Sequence, residues 1–269
     1  GPLPGYWFAG AAPADERRPV VVLIGGIETP MSDAPMTGLT DALARGYRVL
    51  VFDGPGQGAA LYEGGLALAP RWDDVWPAAL DRVAAQPGVD ADRVCLMGIN
   101  HGGLWAAQGA AVGGDRVAAL VLDPAVTGLV DDVVVGLPDD LAALWRSEPE
   151  ALDAAVADRV ATDPDLAFWA AKTLDPFPGG GVRAALEALA AAVLTEDDLA
   201  SITCPTLVCA AEQASAFVGQ DGPVLAALGH RATRLDFTAA EGAGLDCEIG
   251  APQIRNARVY DRLDALLNP

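Results

Sequence analysis

The sequence predicts an α/β fold, with a mostly parallel sheet, helices on both faces and a helical insertion. Three observations carry this. Short Val/Ile/Leu-rich runs alternate with helical stretches, the pattern of strands joined by crossover helices. Glycine-rich turns close several of the runs, at Gly25-Gly26, Gly54-Pro55-Gly56 and Gly98 to Gly103. From about Thr127 to Ser201 the strands disappear and only helical stretches remain.

Taken in order, Pro19 to Ile24 (PVVVLI) reads as a buried strand ending at Gly25-Gly26. Asp33 to Arg45 reads as a helix stopped by Gly46. Arg48 to Phe52 is the next strand, followed by the turn Asp53-Gly54-Pro55-Gly56-Gln57-Gly58. Asp73 to Gln86 is a helix ended by Pro87-Gly88. Arg93 to Met97 is a strand, Asn100 to Val112 a helix and Val117 to Leu122 a strand. The helical stretch centres on Leu141, Leu152, Phe168 and Leu189, with breaks at Pro149, Pro164 and Pro176 to Gly181. Strands resume at Thr206 to Ala210 and Thr233 to Phe237, and Gln253 to Leu267 closes as an amphipathic helix. The organisation is a core over 1–126, a helical cap over 127–201 and a second core segment over 202–269.

Composition narrows the function. Of the 269 residues, 52% are hydrophobic and 20% charged, ordinary for a folded domain. A net charge of −20 disfavours nucleic acid and anionic membranes, which attract positive surfaces. The cysteines Cys95, Cys204, Cys209 and Cys247 form no C-x-x-C pair, so they read as reduced thiols in a cytoplasmic protein with no metal. No uncharged apolar run is long enough to span a bilayer. The chain start has no charged segment followed by an apolar one, so no signal peptide is expected. The glycines of the 54–58 turn do not form a phosphate-binding loop, and Lys172 is the only lysine. No cofactor is expected.

Gly98-Ile99-Asn100-His101-Gly102-Gly103 lies where a strand enters a helix, as a nucleophile elbow does. That motif is G-x-S-x-G, with the serine on a sharp turn above the sheet. Here Asn100 holds the serine position, and a carboxamide is not a nucleophile for acyl transfer.

The elbow, the Gly25-Gly26 turn, the Phe52 to Gly58 loop and the segment Glu241-Gly242-Ala243-Gly244 together resemble the α/β-hydrolase superfamily. Within it they look closest to the branch of 2,6-dihydroxypseudooxynicotine hydrolase and the FrsA-like proteins. The resemblance spans about Gly5 to Leu267. It implies an α/β-hydrolase fold with an inserted cap. It also implies an N-terminal helical region that this sequence, which starts close to the core, does not include. The family's serine falls on Asn100. Its acid falls on Gln213 or Ala214, within Ala211-Glu212-Gln213-Ala214. Its histidine falls on Asp246, after Glu241 to Gly244. The resemblance therefore implies a triad exchanged at all three positions, with Asn100 and Asp246 facing each other.

An aspartate in a capped pocket can act as acid or base, and an Asn amide can hold a carbonyl. Otherwise, the two simply fill a dead site. The resemblance places oxyanion donors on the backbone of Ile27 and His101. The His101 side chain is either a replacement acid/base or packs under the loop after the first strand. His230 reads as a surface residue and Asp53 as a loop tie. Gly26, Glu28 and Glu212 lie at strand C-terminal ends, where ligands bind in open sheets. Glu28 and Glu212 are either functional carboxylates or caps and surface pairs. Trp72, Trp76, Trp105, Trp145 and Trp169, with Phe168 and Phe177, are either core or the wall of a pocket for an apolar or aromatic small molecule.

Three functions stay open. The first is a non-hydrolytic enzyme, meaning a cyclase, lyase, dehydratase or isomerase acting on a polyketide-like intermediate. The second is a non-catalytic binding or scaffolding protein, and the third is a residual hydrolase that activates water directly. The expected partner is the small-molecule substrate, with a homodimer left open.

Overall fold

The computed structural model describes residues 2–267. Its seven strands are β1 (Gly5–Phe8), β2 (Arg18–Ile24), β3 (Arg48–Phe52), β4 (Val89–Ile99), β5 (Ala119–Asp123), β6 (Thr206–Ala211) and β7 (Ala232–Phe237). They form one sheet in the order β1-β3-β2-β4-β5-β6-β7. β1 is antiparallel to β3, and every other pairing is parallel.

The buried spans of the central strands, Val20 to Ile24, Val94 to Ile99 and Ala119 to Leu122, are apolar because both faces are covered. Strand periodicity splits their side chains between two cores. Val20, Val22 and Ile24 point into one core, Val21 and Leu23 into the other. α4 (Val75–Ala84), α5 (Gly102–Gly113), α11 (Glu196–Ser201) and α12 (Asp221–Leu228) cover the first face. α2 (Leu39–Ala44) and α13 (Pro252–Leu267) cover the second.

One expected helix is corrected. The helix expected over 33–45 is broken into α1 (Ala34–Thr37) and α2 by Gly38 at φ 127°. A Cβ there would lie 2.9 Å from the Tyr260 hydroxyl, which donates to the Gly38 carbonyl at 2.9 Å. Pro164 marks the helix break expected there, after the non-helical residues 161–163. It opens α9 (Pro164–Leu174), where its missing N–H costs nothing, and Asp163 caps the turn by accepting from the Leu166 N–H at 3.0 Å. β1, α12 and the short α3 (Gly58–Tyr62) carried no sequence signal strong enough to be anticipated.

Between β5 and β6 run α6 (Val130–Val134), α7 (Asp139–Ser147), α8 (Leu152–Val160), α9 and α10 (Val182–Ala191). Their neck is closed by a bridge between Gly128 and Val193 and by the Leu194 N–H donating to the Thr127 carbonyl at 2.9 Å. Gln220 clamps it: its Oε1 accepts from the Thr127 and Gly128 amides, and its Nε2 donates to the Gly128 carbonyl. α11 lies beyond this neck and packs on α5. Residues 195–201, assigned to the cap from the sequence, thus lie with the sheet layer.

Candidate functional site at the β4–α5 turn

Asn100 forms the apex between β4 and α5, with φ 59°. Asparagine tolerates this left-handed conformation better than most residues. Gly98 is required beneath it, since a Cβ there would lie 2.2 Å from the Gly102 carbonyl oxygen. The Asn100 N–H donates to the Asp123 carbonyl at 2.7 Å, tying the apex to β5. The side chain turns back on the helix: Oδ1 accepts from the His101 N–H at 2.7 Å. One of the two expected oxyanion donors is thus occupied by the apex residue. The Ile27 amide has no acceptor among the described residues.

A cavity of ≈ 180 Å³ lies beside the apex. Ile27, Glu28, His101, Asp132, Trp169, Lys172 and Thr173 line it with apolar cap residues, while Asn100 does not. Gln57 braces the turn that precedes Ile27, donating to the Gly25 and Gly26 carbonyls at 2.7 and 3.1 Å while accepting from the Gly54 N–H at 2.8 Å. Glu28 and Lys172 bridge core and cap at 2.8 Å across a half-exposed surface. Trp169 donates its indole N–H to the Val133 carbonyl at 3.0 Å.

Two titratable groups in this cavity are shifted. Burial pushes the His101 imidazole down to about 4, which keeps it neutral near neutral pH. Its Nδ1 has no partner among the described residues and faces Gly26, where a Cβ would come within 2.9 Å. The Phe217 ring meets the imidazole edge-on at 5.3 Å. Asp132, on α6, is raised chiefly by burial. A hydrogen bond from the Phe217 N–H at 3.3 Å opposes the rise, and the Asp246 charge adds to it.

The other expected residues divide. Asp246 does not meet Asn100: the two share no hydrogen bond among the described residues. Its carboxylate accepts from the Ser215 N–H at 3.0 Å, the Ser215 hydroxyl at 2.6 Å and the Ala216 N–H at 3.0 Å, because the loop after β6 curls over it with unpaired donors. Cys247 lies against the apex instead, with Sγ 3.3 Å from the Asp123 carbonyl and beside the Asn100 amide. Glu212 is exposed and accepts from the Ala239 N–H at 2.7 Å, outside the cavity.

Trp72, Trp76 and Trp105 are 0% exposed and do not line the cavity. They fill the core under α4 and α5, with Trp72 stacked on Trp105 at 4.7 Å, because glycines such as Gly54 and Gly109 leave room only for an indole against the backbone. Trp145 packs half-buried against the same core. Asp53 ties its loop, accepting from the Met31 and Ala59 amides at 2.7 and 2.8 Å. His230 is exposed, and the four cysteines are free thiols.

Sequence reading missed Asp132, Gln57, Phe217, Glu248 and Arg255. Arg255 did carry a signal. It falls on the stripe 255, 259, 263, 267, where Val259, Leu263 and Leu267 are core, so a charge there needs a buried partner. Asp132 carried none, being one acid among several on a short helix.

No protein-family model matches the chain. Among curated proteins it is 29% identical to Hydrolase acrC of Aspergillus aculeatus over 98% of this chain and 64% of that protein. It is 30% identical to Hydrolase LUC6 of Fusarium sp over 92% and 62%. It is 28% identical to 20-hydroxy-prefusarin hydrolase FUS2 of Gibberella moniliformis over 98% and 66%. The chain therefore spans slightly less than two thirds of the length of these relatives. Among solved structures, 2,6-dihydroxy-pseudo-oxynicotine hydrolase superposes with a TM-score of 0.74 at 20% identity, over 99% of this chain and 65% of that one. Est1E of Butyrivibrio proteoclasticus, bound to ferulic acid, gives 0.68 at 17% identity, over 99% and 96%. At these identities the structural likeness speaks for the fold alone. No helix among the described residues is long and apolar enough to cross a membrane. The seven-stranded sheet, the turn at Asn100 and these solved structures agree on an α/β-hydrolase fold, and along its sequence the chain is similar to curated proteins named as hydrolases.

Proposed function

We propose that the chain is a non-hydrolytic enzyme, a cyclase, lyase, dehydratase or isomerase, that moves a proton on an apolar or aromatic, polyketide-like biosynthetic intermediate. One observation carries this reading: the cavity beside the apex holds an acid/base pair of groups, His101 and Asp132, while the apex itself is a carboxamide folded onto its neighbour's amide. The relatives' names contribute the substrate class, since one of them acts on 20-hydroxy-prefusarin.

Asp132 takes the proton from the carbon beside a substrate carbonyl. Its pKa is raised by burial, so its carboxylate is a stronger base than an exposed one. The electron pair moves onto the carbonyl oxygen, which the Ile27 N–H and a neutral His101 stabilise as an enolate. An imidazole held neutral by burial carries one N–H and so can donate one hydrogen bond. Return of the proton from Asp132 to another carbon completes an isomerisation, and its delivery to a departing hydroxyl completes a dehydration. In this scheme Asn100 positions His101, and Asp246 positions the loop above it.

The test follows deuterium exchange at the α-carbon of an apolar 1,3-diketone by NMR. Asp132→Asn is expected to stop the exchange and leave folding intact. Exchange unaffected by that change, or heavy oxygen entering product from labelled water, would overturn the proposal in favour of direct water activation. One observation favours a second reading, a binding protein without turnover. The cavity is smaller than the ~300 Å³ at which drug-sized pockets begin. Binding of the diketone with no exchange in the wild type would select that reading.

A further inference from the structure

Beneath the apex, on the α13 side of the sheet, lies a charge cluster that the proposed reaction does not use. Asp123 ends β5 and is 1% exposed; Glu248, in the loop after β7, is 0% exposed; Arg255 of α13 is 2% exposed. Arg255 NH1 donates to Asp123 Oδ2 at 3.1 Å and to the Cys247 carbonyl at 3.3 Å. Its NH2 donates to the Met36 carbonyl at 3.2 Å, and its Nε to Asn256 Oδ1 at 3.0 Å. Neither oxygen of Glu248 has an N–H or hydroxyl donor among the described residues; the group facing it is the Asp123 carboxyl. Two buried carboxyls and one guanidinium leave a surplus negative charge unless one carboxyl keeps a proton. Burial raises Asp123 and Arg255 opposes that rise, while Glu248 has no hydrogen bond from Arg255, so the proton rests on Glu248. Burial and the Asp123 charge push Glu248 up accordingly.

The surroundings offer no second cation to replace that proton. From β6 the cluster meets the Cys209 thiol, and from its own loop the Cys247 thiol, both raised and neutral. From α13, Arg258 acts only at a distance, its guanidinium being committed to Glu241. Asp41 of α2 reaches the cluster through Asn256, whose Nδ2 donates to it at 2.7 Å, and adds negative charge. The loop is also conformationally tense. Cys247 and Glu248 have φ 49° and 50°, in the left-handed region that non-glycine residues rarely occupy.

We propose that Glu248, sharing one proton with Asp123 above Arg255, latches the 244–250 loop shut, and that losing this proton at alkaline pH releases Phe217 from His101, which lines the cavity. Contacts already described make the connection. The loop carries Asp246; Asp246 holds the Ser215 and Ala216 amides; the next residue, Phe217, stands edge-on to His101. An ionised Glu248 opposite Asp123 leaves for water, the strained backbone relaxes with it, and Asp246 withdraws from Ser215.

The test is amide hydrogen exchange on the full chain, comparing wild type, Glu248→Gln and Asp123→Asn at matched pH. The first variant cannot lose a proton. The second lets Glu248 ionise against Arg255 without one. Wild-type protection over 244–250 and 215–217 should fall about tenfold per pH unit relative to either variant above neutrality, the slope of a single proton. Strands β2 and β4 should stay protected. Protection that falls no more steeply in the wild type than in the variants, or that falls evenly through the sheet, overturns the latch. If one variant does not fold, the other decides. If neither folds, the wild-type profile decides, with a fall confined to these two loops supporting the latch and a flat or global profile refuting it.

Discussion

Replacing Asn100 by alanine removes two separable contributions. One is the bond from the His101 N–H to Oδ1 at 2.7 Å, a neutral hydrogen bond contributing about 1 kcal/mol net. The other is the tolerance of asparagine for φ 59°, a conformation that costs alanine about 1 kcal/mol more. Together Asn100→Ala should destabilise the chain by about 2 kcal/mol, a fall in Tm of about 4–8 °C. Asn100→Asp keeps an acceptor for the same amide and tolerates the same backbone, so it should melt within about 2 °C of the wild type. The assay is thermal denaturation followed by far-UV circular dichroism, all three proteins side by side. An alanine variant as stable as the wild type would show that Oδ1 does not hold the His101 amide. An aspartate variant as weak as alanine would show that the loss comes from somewhere other than this bond and this backbone angle.

Two further predictions concern the frame around the site. Trp105→Ala should cost about 3–5 kcal/mol and flatten the near-UV dichroism, because it empties a fully buried stack on Trp72; a loss below about 1 kcal/mol in denaturant melts would mean that the indoles are not packed as described. Asp198 accepts a two-pronged ion pair from Arg71 and caps α11 through Thr195, and Arg71 first, then Thr195, lower it to about 2. Its contribution is present above the unfolded carboxyl pKa near 4 and is lost as pH falls through about 2. Asp198→Asn should therefore cost about 1–2 kcal/mol at neutral pH, allowing for screening of the partly exposed arginine, and the gap should close in acid; a gap independent of pH would assign the effect to the cap alone.

The strand runs and the elbow glycines were readable because their cause is local. A strand span covered on both faces must be apolar, and a turn where a Cβ would lie 2.2 Å from a carbonyl oxygen, as at Gly98, admits only glycine. The insertion was visible for the same reason, since strand runs stop and helical periods replace them. Its exact end was not, because α11 differs from the cap helices only in what it packs against. The break at Gly38 likewise depends on the Tyr260 hydroxyl, 222 residues away.

The site was partly legible. The apex position of Asn100 follows from motif and spacing; of the two readings left open for His101, the structure shows a buried side chain beside Gly26. The partner of Asn100 does not, because a loop can present any of several consecutive residues to the apex: Asp246 turned to the donors of Ser215 and Ala216, and Cys247 took the place beside Asn100. The tryptophans show the same limit. Helical spacing placed Trp76 and Trp105 on buried faces, but core and pocket wall share that periodicity, and only the packing of Trp72 on Trp105 assigned them to the core.

By itself, then, the sequence determined the α/β class, the strand order's raw material and an apex with no nucleophile, all written in residues close together along the chain. The tertiary structure alone decided which acid enters the cavity and which carboxyl keeps a proton. Asp132, Glu248 and Arg255 acquire their chemistry from burial and from neighbours more than eighty residues away, such as Phe217 for Asp132 at a separation of 85 and Asp123 for Arg255 at 132. Desolvation and Coulomb terms depend on distance in space, and that distance is set only when the chain has folded.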